Sequence, residues 1–373
     1  MVKKQRWYWH QGNRVELLID GHRFFPAMLE AINQSQQSVL LEFYFVSSGR
    51  LLDQFIEAFA AAIQRGVVVC MLIDAVGARS LNSRDRQRLL TAGVRLKIYN
   101  PIRWHKWNSN FSRDHRKIFL VDGRIVFVGG TGLADEFYQG VADGQPWHEL
   151  MLAVQGPVLR DWMTLFQRQW RISTAETLDF AVNTNPVGNA EVKIATAEGV
   201  HQQEIKANFR SQINAAHKRV WLVTAYFLPS WSIRRALINA ARRGVDVRLL
   251  LPGTITDHPG IYYASRRYYK RLLSAGVRIY EYQPRFIHAK LGVCDNWVSI
   301  GSCNLDHWNL LWNLEANQEV VDAALTDQVS TAISKDLSDS DEITLESWLQ
   351  RPWYQRTRDF VWGYLNSLLL RIV

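Results

Sequence analysis

Two stretches of the chain carry ionisable side chains where an apolar strand is otherwise expected. "HRKIFLVDG" at 115–123 sets His115, Lys117 and Asp122 around an apolar run, and "HAKLGVCDN" at 288–296 repeats the spacing with His288, Lys290 and Asp295. In a strand, residues two apart share a face, so each histidine points the same way as its lysine. Histidine exchanges protons near neutral pH, and lysine brings fixed positive charge to an oxyanion. After each stretch the chain turns, at Asp122-Gly123 and Asp295-Asn296, and returns as "RIVFVGGT" and "WVSIGSCN". The returns end in Gly129-Gly130-Thr131 and Gly301-Ser302-Cys303-Asn304. Small residues there let backbone N–H groups and a hydroxyl approach a tetrahedral anion closely, so the chemistry implied is that of a phosphate group. One His-x-Lys-x4-Asp is a weak signal. Two copies, each followed by a turn and small residues, are a specific one.

The elements that must position these groups repeat as well. "LLEFYFV" at 40–46 is answered by "VWLVTAYFL" at 220–228, "AAAIQRGVVVCMLID" at 60–74 by "INAARRGVDVRLLLP" at 238–252, and "LLTAGVRLKIYNP" at 89–101 by "LLSAGVRIYEYQP" at 272–284. Each half reads as strand, helix, strand, helix, strand and hairpin. Gly66, Gly93, Gly244 and Gly276 fall where helix C-termini favour a left-handed residue. Alternating strands and helices predict an α/β protein with two similar sandwich halves, each around a mixed sheet. The boundary is expected near residue 185, in "VNTNPVGN", giving segments 1–185, 186–345 and 346–373.

Composition restricts the partners. The net charge of +9 suits nucleic acid or anionic lipid. Fifteen tryptophans are present, several beside cations: "RWYWH" at 6–10, "IRWHKW" at 102–107 and "RPWYQR" at 351–356. That pairing fits a lipid headgroup layer, fits base stacking, and fits loops of a basic protein. Cys70, Cys294 and Cys303 lie in apolar stretches and read as buried free thiols rather than a disulfide framework. No secretory leader or membrane-spanning run is read, so a cytoplasmic protein meeting a membrane at its surface is expected. The tail from Phe360 to Val373 reads either as an interfacial amphipathic helix or as one packed on the second half, after an acidic exposed loop "SKDLSDSDE" at 334–342.

The paired His-x-Lys-x4-Asp stretches, the Gly-Ser-x-Asn after the second, and "NLEAN" at 313–317 are similar to the phospholipase D superfamily. "GNRVELLIDGHRFFPAMLEAI", "NFSRDHRKIFLVDGRIVFVGG", "TAYFLPS" and "GSCNLDHWNLLWNLEAN" resemble the shorter bacterial cardiolipin synthases, which lack N-terminal transmembrane helices. The resemblance covers essentially the whole chain. It implies the phospholipase D fold, with the active site at the interface of the halves, and transfer of a phosphatidyl group to phosphatidylglycerol without a metal or other cofactor. The donor is phosphatidylglycerol or another phospholipid such as phosphatidylethanolamine. One histidine attacks phosphorus and the other serves as acid and base, with a weak preference for His115 as attacker. The expected catalytic set is His115, Lys117, Asp122, His288, Lys290 and Asp295. Asn304, Ser302, Thr131 and Glu315 are expected to bind substrate.

The resemblance further implies a peripheral protein on the cytoplasmic face of a bacterial membrane. Two positions depart from the family pattern: Gly132 replaces an expected Asn, and Asn309 an expected Ser or Thr. Those departures point to an asymmetric site whose anion is held mainly by the second half. Trp147-His148-Glu149 occupies a family position of supporting role or of surface loop, and is left off the catalytic set. A nuclease of the same superfamily and a catalytically silent membrane scaffold are the competing functions, the first permitted by the charge but disfavoured by the Trp clusters.

Overall fold

The structure, a computed structural model, describes residues 5–103, 110, 112–140, 144–199, 202–306, 312–359 and 361–362. The first half contains β1 (His10–Ile19), α1 (Gly21–Asn33), β2 (Ser38–Phe43), α2 (Arg50–Gln64), β3 (Val68–Asp74), α3 (Ser83–Thr91), β4 (Arg95–Tyr99), β5 (Lys117–Val121), β6 (Ile125–Gly129), β7 (Leu150–Gln155) and α4 (Leu159–Thr174). The second contains β8 (Ala190–Glu198), the short β9 (Gln202–Gln203), α5 (Glu204–Ala215), β10 (Arg219–Val223), α6 (Trp231–Arg242), β11 (Asp246–Pro252), α7 (Pro259–Arg266), α8 (Tyr269–Leu273), β12 (Arg278–Tyr282), β13 (Leu291–Cys294), β14 (Trp297–Gly301) and β15 (Leu314–Val321). It ends in α9 (Ala323–Ser338), β16 (Ser340–Ile343) and α10 (Leu345–Leu349).

Strand order repeats. The first half runs β4-β3-β2-β5-β6-β7-β1 and the second β12-β11-β10-β13-β14-β15-β8. Where two separate sandwiches were expected, antiparallel pairing of β1 with β8 joins the halves into one continuous sheet. β2 and β13 are buried at every position, as strands covered on both faces must be; β13 is apolar throughout, while β2 holds Ser38 and Glu42 within its apolar run. α1 and α2 cover one face of the first half and α5 and α6 the same part of the second, each with its own core. α4 and α9 cover the opposite face and share a single core across both halves, including Trp162, Phe166, Val329 and Ile333. Gly66 and Gly244 take φ of 89° and 87°, with nothing within 4 Å of where a Cβ would stand. The left-handed conformation alone therefore calls for glycine there.

Three expectations are corrected. "SKDLSDSDE" is not an exposed loop: α9 runs to Ser338, β16 adds to the sheet edge beside β12, and Asp336 is buried against His148. Trp7 is not interfacial, being buried with its Nε1 donating to Thr196 at 3.2 Å; Trp104 and Trp107 lie outside the described residues. The chain from 346 to 359 packs on the second half: Trp348 is buried beside Tyr269, and Asp359 pairs with Arg266 and Arg351. Phe360 and residues 363–373 lie outside the described residues. Among the described residues no helix is long and apolar enough to cross a membrane. All three cysteines are free and buried.

Candidate active site

Antiparallel pairing of β5 with β6, and of β13 with β14, returns Gly129-Gly130 and Gly301-Ser302 beside the lysines that open each hairpin. β7 and β15 lie next, so that Glu149 and Glu315 reach the same end of the sheet. Two reciprocal backbone stitches then cross between the halves. His115 N–H donates to the Leu314 carbonyl at 2.9 Å and Leu314 N–H to the Arg113 carbonyl at 2.8 Å. His288 N–H donates to the His148 carbonyl at 2.8 Å and His148 N–H to the Phe286 carbonyl at 2.9 Å. Each histidine is thus fixed next to the glutamate of the other half.

The side chains follow. His115 Nδ1 lies 2.8 Å from Glu315 Oε1, and His288 Nδ1 lies 2.8 Å from Glu149 Oε2. The first approach is bent away from good hydrogen-bond geometry and the second is well aligned. A carboxylate on Nδ1 sets the tautomer and leaves Nε2 for chemistry. Gly130 makes the crossing possible, because a Cβ there would stand 2.4 Å from Glu149 Oε2 and 3.0 Å from Lys290 Cδ. Lys117 Nζ donates to the His115 carbonyl at 2.6 Å; Lys290 Nζ likewise donates to the His288 carbonyl and also lies against that ring, 2.8 Å from Nδ1 and 3.0 Å from Nε2.

Burial shifts the proton affinities of the histidines, lysines and glutamates here. Desolvation, reinforced by the two lysines, holds both histidines well below their ordinary pKa and therefore neutral. Desolvation lowers Lys117 to about 7 and Lys290 to about 8, the glutamates opposing it, and raises Glu315 to about 8 and Glu149 above its usual range. Such a cluster is electrostatically unfinished: an entering phosphodiester monoanion restores charge to the lysines. One more group points at the same need. Asn304 is fully buried, its Oδ1 accepts from Thr224 at 3.2 Å, and its Nδ2 has no partner among the described residues.

The expected set therefore converges only in part. His115, Lys117, His288, Lys290, Asn304 and Glu315 come together. Asp122 and Asp295 do not; they sit at the far ends of the hairpins with φ of 52° and 50°. The Asp122 carboxylate accepts from the backbone N–H groups of Gln36, Gln37 and Ser38, each at 2.8 Å. Asp295 accepts from those of His217, Lys218 and Arg219 at 2.9–3.0 Å. They anchor the start of β2 and β10 to the turn, and their expected part in the chemistry is corrected accordingly. Ser302 spends its proton on Glu315 Oε2 and Thr131 spends its own on the Gly132 carbonyl, so neither has one for a phosphate. Glu315 faces His115 rather than a substrate.

Glu149, left out of the catalytic set, is as buried as Glu315 and does the matching work on His288. An acidic residue after the small-residue turn of both repeats was the signal available; unequal spacing, 19 residues after Gly130 and 13 after Ser302, concealed it. His148 beside it is buried between Asp20 (2.7 Å) and Asp336 (3.0 Å), which overcome desolvation and raise its pKa to about 9. Gly132 leaves no room for the family's Asn, since a Cβ would stand 2.8 Å from the Phe45 carbonyl. Asn309 lies outside the described residues.

Known proteins match this arrangement. The family model described as "Cardiolipin synthase, PLD-like domain" matches residues 28–170 and 209–337, one span in each repeat. Cardiolipin synthase A of Pseudomonas putida (strain W619) is 35% identical over 343 residues, covering 90% of this chain and 71% of that protein. Cardiolipin synthase A of Pseudomonas aeruginosa (strain LESB58) is 32% identical over 340 residues, covering 90% and 69%. The crystal structure of phosphatidylserine synthase from Haemophilus influenzae Rd KW20 superposes with a TM-score of 0.74, covering 95% of this chain and 93% of that one, at 13% identity that speaks for fold alone. With both repeats matched and a third of its residues shared along nine-tenths of its length, the chain belongs to the cardiolipin synthase family of phospholipase D-like proteins.

Proposed function

We propose that the protein is a phosphatidyltransferase that makes cardiolipin, carrying the phosphatidyl group on His115. The observation that carries this reading is the pair of crossed histidine–glutamate contacts around two buried lysines, in a chain whose relatives bear the name cardiolipin synthase. His115 Nε2 attacks phosphorus of the donor lipid; an N–P bond forms and the P–O bond to the leaving alcohol breaks. His288 Nε2 gives that oxygen a proton, drawn from the cation it shares with Lys290, then takes the proton of the phosphatidylglycerol hydroxyl as it attacks. The N–P bond breaks, cardiolipin leaves and His115 is restored. Lys117, Lys290 and Asn304 Nδ2 stabilise the charge developing on the phosphoryl oxygens.

His115 is favoured as attacker because Lys290 Nζ lies against the His288 ring, 2.8 Å from Nδ1 and 3.0 Å from Nε2, while among the described residues no lysine makes such a contact with the His115 ring. Basic charge and exposed tryptophans such as Trp353 support a peripheral place on an anionic membrane, and the cytoplasmic face is the side proposed. The test is incubation of solubilised protein with phosphatidylglycerol, with and without phosphatidylethanolamine, in excess chelator, identifying every lipid and alcohol released. Cardiolipin with glycerol or ethanolamine is expected. Free phosphatidic acid alone, digestion of added plasmid, or dependence on a restored divalent ion would contradict the proposal.

A further inference from the structure

The groove between α2 and α3 in the first half and the one between α6 and α8 in the second are charged differently. In the first half Arg88 of α3 is neutralised by Asp53 of α2 and by Asp85. In the second half the corresponding groove, between α6 and α8, is lined by Arg234, Arg235, Arg267, Lys270 and Arg271, and among the described residues no Asp or Glu lines it. Aromatic rings lie against three of these cations. Arg234 and Arg267 lie over the Tyr268 ring at 4.5 and 4.6 Å, and Arg235 over Trp231 at 5.1 Å. Burial, with repulsion from Arg267 and Arg271, lowers the Arg234 pKa, as expected of cations crowded together.

One end of the groove, at Trp231, lies at the site's end of the sheet. β10 and β11 run parallel, and Val223 at the end of β10 pairs with Leu291, next to Lys290. The segments leaving these strand ends are 224–230, which leads into Trp231, and 253–258, which leads into α7. They touch each other where Tyr226 donates to Asp257 at 2.5 Å, and Asp257 biases the protonation of Lys290. On this same end large apolar side chains stand in solvent: Trp231 (57% exposed), Ile255 (49%) and Trp362 (42%), the last lying against Gly260 at the start of α7. Arg358 adds a cation over Tyr263 at 4.0 Å.

We propose that this end of the second half, the α6–α8 cation groove with Trp231, Ile255 and Trp362, docks the protein onto an anionic phospholipid bilayer and so presents the site's mouth to its substrates. The inference rests on the lipid reading of the site. An anionic bilayer satisfies both parts of the surface at once. Its phosphates answer a groove without acids, and its headgroup layer takes half-buried indoles and an isoleucine. Nucleic acid would answer the cations and leave Ile255 unexplained, since an aliphatic side chain offers no ring for a base to stack on. A second copy of the chain would have to bring a matching acidic face.

The full-length protein tests this by sedimentation with phosphatidylcholine vesicles with and without phosphatidylglycerol. The combined Arg235→Glu, Lys270→Glu, Arg271→Glu variant should bind phosphatidylglycerol vesicles at least ~tenfold more weakly, and raised salt should weaken the wild type similarly. Transfer on short-chain lipid in solution should be unchanged, because none of these residues touches the site. Unchanged vesicle binding, or loss of DNA binding or dimerisation in its place, overturns the proposal. A variant that docks normally but forms no phosphatidyl product counts against the proposed activity and not against this surface. Should the charge reversal fail to fold, Trp231→Cys carrying an environment-sensitive fluorophore supplies the answer, the three native thiols being buried. A blue shift on anionic vesicles is expected there and not at a label replacing Ile172, which is 65% exposed on α4. No shift at 231, or an equal shift at both, overturns it.

Discussion

The two halves share a strand order and differ in what surrounds their histidines. His288 is framed by the rings of Phe137, Trp147 and Phe286, with centroids 5.1–5.7 Å away, and carries Lys290 on its face. Among the described residues His115 meets one ring, Tyr44 at 4.7 Å, and its lysine bonds the backbone without touching the imidazole. Between histidine and lysine the first half has Arg116, fully buried and paired with Glu42 and Asp114, where the second has Ala289. At the turn the second half offers the Asn304 amide and the first only Gly132. A duplicated scaffold has kept what both catalytic steps need, a histidine with a carboxylate from across the interface. It has diverged in the surroundings that, on the proposed mechanism, separate an attacking imidazole from a proton-donating one.

That contrast can be broken in order of effect. Glu149→Gln and Glu315→Gln should each lower transfer by about two orders of magnitude or more, because an amide on Nδ1 no longer holds the imidazole's tautomer. They should part company with a nitrophenyl leaving group, which needs no proton: Glu149→Gln should recover most of its first step and Glu315→Gln should not. Equal recovery would erase the assigned difference between the histidines. Next, Asn304→Ala should cost roughly ten- to a hundredfold in kcat, the scale of one lost donor to a developing oxyanion. Gly132→Asn should add no activity and should lower stability instead, since its Cβ meets the Phe45 carbonyl. A gain in activity would show that the first half can hold the anion after all.

The lysines give a pH test on the scale of a single charge. With Lys117 at about 7 and Lys290 at about 8 in the empty site, only protonated lysines bind an anion, so binding above these values takes up protons. Affinity for a phosphonate diester of fixed charge, measured by calorimetry, should be flat below about pH 7. It should then weaken with rising pH, approaching about tenfold per unit for each lysine that must be reprotonated. The lysines' stability effect has the opposite sense: their folded pKa is depressed, so the strain of burying them charged is relieved as pH rises through these values.

The smallest effects belong to the hairpin anchors. Asp122→Asn should cost about 1–3 kcal/mol of stability by weakening bonds to three backbone amides, the Ser38 bond buried, and Asp295→Asn less, being more exposed. The same three-amide cradle outweighs burial and depresses the Asp295 pKa. Its stabilisation is thus present above the ordinary carboxylate range and lost as pH falls through the folded value. Specific activity of the folded enzyme should stay within about twofold in both variants, the amide retaining most of the turn's geometry. A hundredfold loss would return these aspartates to the chemistry.

Much of this was legible in the sequence because it is periodic or repeated. The apolar run of β13, the glycines at 66 and 244, and the doubled His-x-Lys each carry their structural reason in local pattern. The crossing of the halves was not legible, since nothing near Glu149 says that its partner is His288, 139 residues on. The same is true of β1, whose mixed exposure hides a strand that joins two sheets. Asp122 misled for the converse reason. Its constant spacing from the histidine reflects the length of a hairpin, and a carboxylate that ties backbone looks in sequence like one that serves catalysis.

The central claim, one site shared by two halves with His115 as its attacker, meets its most direct test in trapping the covalent intermediate. Wild type, His115→Ala and His288→Ala would each receive a phosphatidyl donor with a nitrophenyl leaving group, be quenched in base, and be mapped for phosphohistidine by mass spectrometry. The account predicts phosphorylation at residue 115 in wild type, its accumulation in His288→Ala, and none anywhere in His115→Ala, with both variants inactive on natural lipid. Phosphate on His288, or transfer to phosphatidylglycerol that survives either substitution, would contradict it.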